Sequence, residues 1–314
     1  MNILVTGGCG YKGNVLVPKL LAQGHRVKVV DIQWFGNALQ PHPNLTVIKG
    51  DTRDVQDAWF KDVDAVIHLA AVANDPCSDL DPSLSWEIGP LATMRLIEAA
   101  IAHQVKQFIY ASSGSVYGVS DAPQVTEDLP LNPISIYNKT KMVTERVVLS
   151  YAEQILVQIV RPATVCGPSK RMRLDVSVNM MAMQALTNGV MTVFGGDQVR
   201  PNIHIDDITD LYLFLLEQGD RVQGIYNAGF ENISILEIAK TVQSMVPAEI
   251  KITPSNDPRS YRLNSDKLLK TGFRPKKTVK HAIEEIVALY QEGLLKDGVN
   301  CYNLKQMQAL GVVG

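Results

Sequence analysis

Tyr137 and Lys141 stand four residues apart, which on a helix puts both side chains on one face. A phenol with its ordinary pKa of ~10 is a poor base at neutral pH, and a nearby ammonium favours the phenolate. Lys141 is thus placed to lower the pKa of Tyr137 and to hydrogen-bond a ribose, whereas Lys139 points elsewhere on the helix. Ser112, Ser113 and Ser115 follow an apolar run, 107–111, that reads as a strand. Open α/β sheets bind ligands at the C-terminal ends of their strands, so a serine there can orient a substrate hydroxyl toward the tyrosine. Neither motif is specific alone, since Tyr-x-x-x-Lys is common on plain helices and serines after strands often only form turns.

A second constellation supplies context. Directly after the first apolar run, 3–6, come Gly7, Gly10 and Gly13, with Tyr11 and Lys12 between the last two. Gly7 permits a tight turn, Gly10 lets backbone N–H groups approach a pyrophosphate, and Gly13 lets helix and strand pack closely. The helix N-terminus then holds the anion. Asp31, at the tip of the second strand and 18 residues past Gly13, falls where a carboxylate meets adenosine ribose hydroxyls. Ile32, Gln33 and Trp34 offer no cation for a 2′-phosphate, which favours NAD over NADP.

The elements that must position these groups follow from periodicity. Short β-branched runs at 3–6, 26–31, 45–49, 65–69, 107–111 and 156–161 alternate with helical patterns at 14–23, 91–103 and 137–152. That alternation specifies an α/β, Rossmann-like, doubly wound parallel sheet. Pro90 suits the first turn of the helix at 91–103. Past about residue 168 come helices at 176–188, 206–217, 235–246 and 280–293 with short strands between. A cofactor domain over 1–168 and a smaller α/β substrate domain over 169–314 are expected around a shared cleft, with about 202–230 returning to the first. Residues 297–314 read as a C-terminal appendage.

The chain's 314 residues suffice for about two domains at roughly 150 each. An apolar share of 46% and a charged share of 20% exclude a disordered or collagen-like chain. Lys plus Arg number 30 against 32 Asp plus Glu, too balanced for a nucleic-acid partner. No apolar run reaches the ~18 residues of a membrane span and Met1 to Val5 lack signal-peptide features, so a cytoplasmic protein is expected. Cys9, Cys77, Cys166 and Cys301 have neither paired nor zinc-site spacing and read as reduced thiols. His68 and His204 read as packing histidines, an aspartate of the Asp206-Asp207 pair as a helix N-cap and Met180, Met181 and Met183 as helix core, so no metal is proposed.

With these residues in place, the sequence resembles the extended short-chain dehydrogenase/reductase group of NAD-dependent nucleotide-sugar epimerases and dehydratases, over nearly its whole length. Besides the glycine loop, the matching motifs are Asp51 and Thr52 after the third strand, His68 to Ala71 after the fourth, and Ser113 through Val116-Tyr117-Gly118. Tyr137 with Lys141, Arg161-Pro162 with Gly167-Pro168, and Arg200 through Asp206-Asp207 complete the set. The resemblance implies Ser113 as catalytic hydroxyl, Tyr137 as base and Lys141 as activator. It implies Tyr11 and Lys12 at the pyrophosphate, Asp31 at the ribose, Asp51 and Thr52 at the adenine, and Leu69, Ala70 and Ala71 along the cofactor. Pro162 and Ala163 would lie near the nicotinamide.

On the substrate side the resemblance implies a nucleoside diphosphate sugar. Arg200 and Asn179 would face its diphosphate, and Val193, beside Thr192 and Phe194, its base; Ser115 and Thr164 would line the sugar pocket. The family's later arginine is absent, and Arg259 is its substitute; Arg171 and Arg173 are candidates for replacement contacts. The dehydratase branch carries an Asp-Glu pair where this chain has Gly114-Ser115, so elimination by that route is not expected. The reading is an NAD-dependent nucleotide-sugar epimerase acting through a transient keto sugar, at C4, with a nucleotide-sugar dehydrogenase or ketoreductase as rival and a non-catalytic NAD-binding regulator as a third class. The resemblance also implies a homodimer paired through helices 91–103 and 137–152, compatible with apolar Ala92, Leu96, Ala99 and Ala100.

Overall fold

The computed structural model describes residues 1–120, 122–255 and 260–312. Its strands are β1 (Asn2–Thr6), β2 (Arg26–Asp31), β3 (Leu45–Lys49), β4 (Ala65–His68), β5 (Gln107–Ala111), β6 (Leu156–Pro162), β7 (Thr164–Cys166), β8 (Val190–Phe194), β9 (Val199–His204), β10 (Gly224–Ala228), β11 (Glu231–Ser234) and β12 (Glu249–Thr253). Seven of them form one sheet in the order β10-β6-β5-β4-β1-β2-β3, every pairing parallel. The order reverses between β1 and β4, which opens a crevice at their C-terminal ends, the site such sheets give to ligands.

Side chains alternate across the sheet. Ile3, Val5, Val29 and Ile67 join Leu16 and Leu20 of α1 (Gly13–Ala22) on one face. Leu4, Val30, Val66 and Phe108 join helical Leu96, Ile97 and Val148 on the other. With both faces covered, β4 and β5 are buried at every position, which is why they read as continuous apolar runs.

One helix departs from the sequence reading. After the short α2 (Asp75–Leu80), the chain enters α3 (Pro82–Trp86), passes a π turn at Glu87–Leu91 and continues as α4 (Ala92–Ala102). Pro90 therefore does not open a helix; it sits inside one. Proline lacks an N–H and its ring crowds the preceding turn, and the wider π turn accommodates both. Ala92, Leu96 and Ala100 of α4 are buried in the subunit's own core.

The Tyr137–Lys141 motif opens α5 (Ile136–Leu149), where Ser135 caps the N-terminus by accepting from the Asn138 N–H. Beyond β6 the chain builds a three-stranded sheet, β11-β9-β7, and a β12-β8 pair, with α6 (Ser177–Asn188) packed among them. Then α7 (Ile205–Gln218) lies against α1, tied by Lys19 to Asp206 at 2.9 Å and to Asp210 at 2.8 Å. β10 re-enters the seven-stranded sheet beside β6. The N-cap of α7 is His204, whose Nδ1 accepts from the Asp206 N–H, rather than either aspartate of the Asp206-Asp207 pair. Asp206 lies in the first turn, where a carboxylate also suits the helix dipole, and pairs with Lys277 at 2.5 Å. The remaining helices are α8 (Ile235–Gln243), α9 (Asp266–Lys270), α10 (Val279–Gln291) and α11 (Asn303–Ala309). Among the described residues no helix is long and apolar enough to cross a membrane.

Candidate active site

A cleft of about 470 Å³ opens at the C-terminal ends of the sheet strands. Its floor is the glycine loop. Gly7 has φ +72°, and a Cβ there would come within 2.6 Å of the Ala70 nitrogen, so the loop after β1 and the loop after β4 touch only because residue 7 has no side chain. A Cβ on Gly13 would run into the Gly8 carbonyl, which lets α1 begin directly beneath the loop. Asp31 accepts from the Cys9 N–H at 2.9 Å and from the Gln33 N–H at 2.7 Å, fixing the strand tip against the loop. Burial raises the pKa of Asp31, and those two N–H groups oppose the rise.

Ser113, Tyr137 and Lys141 face the same cleft. Ser113 ends the β5 loop as the cap of a short turn, accepting from the Ser115 N–H at 3.2 Å, and its Oγ lies 2.7 Å from Ser115 Oγ. The Ser113 hydroxyl reaches the Tyr137 phenol and lowers its pKa, as does the charge of Arg173. Burial is the largest effect and raises the phenol's pKa overall. Lys141 Nζ donates to the Ala111 carbonyl at 2.8 Å and sits 5.0 Å from the centre of the Tyr110 ring. Burial chiefly, then the charge of Lys12, pushes Lys141 down to about 7. Ser113 and Arg173 oppose the rise at Tyr137, and the Ala111 carbonyl takes one of the donors on Lys141 Nζ. Lys139 is exposed, as its spacing requires.

What holds α5 in place lies underneath. Glu145, one turn past Lys141, receives Arg161 of β6 at 2.6 Å from Nη2 and 2.9 Å from Nε, and Ser112 Oγ at 2.5 Å. Arg161 also donates to the Tyr117 hydroxyl, which donates to Asn227 of β10. The network ties α5 to β6, to β10 and to the loop that follows β5. At the helix mouth, Ser135 donates to Asp75 at 2.5 Å.

The other expected residues divide. Gly10, Lys12, Asp51, Thr52, Leu69, Ala70, Ala71, Pro162, Ala163, Thr164, Ser115 and Arg200 all line the cleft. Tyr11 lines it too, but its hydroxyl donates to the Gly167 carbonyl and accepts from Asn179. Asn179 is fully buried behind that tyrosine, accepting from the Gly167 N–H and donating to the Arg173 carbonyl; it braces the wall rather than facing a diphosphate. Val193 points wholly into the core, so its side chain cannot seat a base. Arg259 lies outside the described residues. His68 is pinned between Thr6 and Thr93 at 2.6 and 2.9 Å, and burial pushes it down to about 3, so it stays neutral. The sequence reading missed Asn74, Asp175 and Asn303 on the cleft wall. Only Asn74 carried a local signal, an asparagine before Asp75-Pro76.

Comparison with known proteins places this geometry. The model of the NAD dependent epimerase/dehydratase family matches residues 3–229, spanning the sheet, the glycine loop and the Ser-Tyr-Lys site. The chain belongs to that family. Among its relatives, UDP-glucose 4-epimerase from Lactobacillus helveticus is 28% identical over 88% of this chain and 92% of that enzyme. The Thermus thermophilus UDP-glucose 4-epimerase, solved with NAD, superposes with a TM-score of 0.82 at 26% identity, covering 93% of this chain and 99% of that one. MoeE5, solved with UDP-glucose and NAD, gives 0.84 at 26% identity, covering 94% and 100%.

The epimerase/dehydratase cofactor, NAD, fits the residues present. The Gly7 and Gly13 cradle is one a Cβ would fill. Lys12 and Lys141, driven by burial to about 8 and about 7, wait for negative charge in the cleft. A Cβ at Gly114 would press on the Pro162 carbonyl at 3.2 Å.

Proposed function

We propose that this protein is an NAD-dependent nucleotide-sugar epimerase inverting a secondary alcohol of the sugar, at C4, through a transient keto sugar. The observation that carries this is the grouping of Tyr137, Ser113 and Lys141 on one wall of a cleft whose floor is a dinucleotide loop. Tyr137 accepts the proton of the sugar hydroxyl and returns it after the ring turns over, while Ser113 aligns that hydroxyl. Bound NAD supplies reversible two-electron oxidation of the carbon bearing it. Lys141, one turn along, would hold the cofactor's ribose and would add positive charge near the phenolate once negative charge in the cleft favours its ammonium. Arg200 pairs with the substrate diphosphate. Tyr11 contributes its backbone, since its hydroxyl is committed to Gly167.

The test is conversion of UDP-glucose to UDP-galactose by the NAD-loaded enzyme, followed by NMR of the products and by absorbance of the reduced nicotinamide. Interconversion without net reduction is expected. Stoichiometric accumulation of reduced cofactor with a released keto sugar would replace the epimerase by its dehydrogenase rival.

We also read the subunit as half of a homodimer paired across the outer faces of α4 and α5, where Leu91 is 49% exposed and Met94, Val143 and Val147 are partly so. Sedimentation velocity should give about twice the 34.5 kDa chain mass.

A further inference from the structure

We infer that Arg171 is a ligand for the adenosine half of the cofactor, and that the C-terminal helix, through Asn303, holds it in place as part of the binding site. This rests on the cleft being the family's NAD site and says which residues outside the family's motifs complete it.

Arg171 lines the cleft yet is only 5% exposed. Its guanidinium lies 4.0 Å from the centre of the Phe35 ring, four residues past Asp31, and Nη2 donates to Asn303 Oδ1 at 2.5 Å. Its Nε is buried with no hydrogen-bond partner among the described residues. A desolvated guanidinium left with an idle donor is costly unless something negative or oxygen-rich completes it. Asp31 and Asp175 act on it through charge, and the Asp175 carboxylate is already bonded to Arg173 Nε at 2.8 Å and to the Asn303 N–H at 3.0 Å. The proximity to Asp31 and Phe35 sets Arg171 at the end of the cleft where the adenosine ribose is expected, so the missing partner is the ribose-phosphate of the cofactor.

The C-terminal helix is built around this arrangement. Asn303 also donates to the Ala73 carbonyl at 3.3 Å, and Gln306 donates to the Trp34 carbonyl at 2.8 Å. Met307, 2% exposed, anchors the helix in a small core with Val72, Leu84 and Ile88, against which Trp34 and Phe35 pack. One segment thus grips both the loop after Asp31 and the arginine above it.

The test uses the full chain and two probes, ADP for the adenosine half and UDP for the substrate side, titrated by calorimetry into cofactor-stripped protein. Arg171→Met should weaken ADP and NAD about tenfold or more and leave UDP within twofold. Asn303→Asp gives up the bond to the Ala73 carbonyl but sets a carboxylate against Arg171, so the guanidinium stays paired internally, the chain stays folded, and ADP weakens several-fold. That second variant keeps the test decisive if the first folds poorly. ADP affinity within twofold of the parent in a folded Asn303→Asp or Arg171→Met protein overturns the inference, as does a loss confined to UDP. The readout is binding, so a chain that bound ADP in this way but turned over no sugar would sink the epimerase reading alone.

Discussion

Glu145 and Arg161 meet as a two-pronged ion pair with side chains 1% and 3% exposed, directly beneath the catalytic helix. Glu145 follows Lys141 by one turn, so this pair sets where α5 lies on the sheet. Arg161→Met leaves a buried carboxylate without its cation and should cost about 3–5 kcal/mol in urea denaturation. The double variant Glu145→Met/Arg161→Met should recover much of that loss. Additive single-variant costs would show that the two do not act as a pair.

Tyr137→Phe removes the proton carrier and leaves the ring. Turnover should fall ~10²- to 10⁴-fold, with NAD content after desalting unchanged. Near-parental turnover would move the base elsewhere.

Lys141 makes the cofactor-free protein less stable than it could be. Its pKa falls from the ordinary 10.5 to about 7 in the folded chain. Between those values the unfolded chain binds a proton that the folded chain does not, so stability rises with pH across that window. Below pH 7 the full cost of the buried ammonium is present. Denaturation midpoints of the stripped protein should climb from pH 7 to 9.5, and Lys141→Met should flatten much of that climb, raise stability at pH 7 and abolish epimerisation.

Gly7→Ala meets two obstacles, a φ of +72° and a contact of 2.6 Å with the Ala70 backbone. Strain of this kind costs on the order of 1–3 kcal/mol. The loop can relieve it only by leaving β4, so NAD affinity should drop tenfold or more by calorimetry. Gly24→Ala, at φ +80° with open space around it, is the control: it should lose some stability but bind NAD normally.

The sheet was legible because strands such as β4 and β5, covered on both faces, have to be apolar at every position. The catalytic helix was legible because Tyr137 and Lys141 share a face. Asn303 and Asp175, 128 positions apart, were not: their pairing has no period and no local propensity, and it exists only once the chain has folded back on itself. Asn179 misled for a related reason. Its amide completes the hydrogen bonds of Gly167 and Tyr11 inside the wall, a task that leaves the same letter in the sequence as a ligand would. The cap of α7 passed to His204 because its ring nitrogen reaches the Asp206 N–H while Asp206 answers to Lys19 and Lys277.

The π turn at Glu87–Leu91 works as a phase shifter in an otherwise regular rod. An α-helix rotates about 100° per residue, so absorbing one extra residue there lets α3 and α4 each keep the face its own surroundings require. Ile88 can thereby reach the cleft while Leu96 and Ile97 stay seated against the sheet. Straightening the turn would force one half of the rod to swivel, and the wall of the cleft and the back of the sheet would then compete for the same side chains.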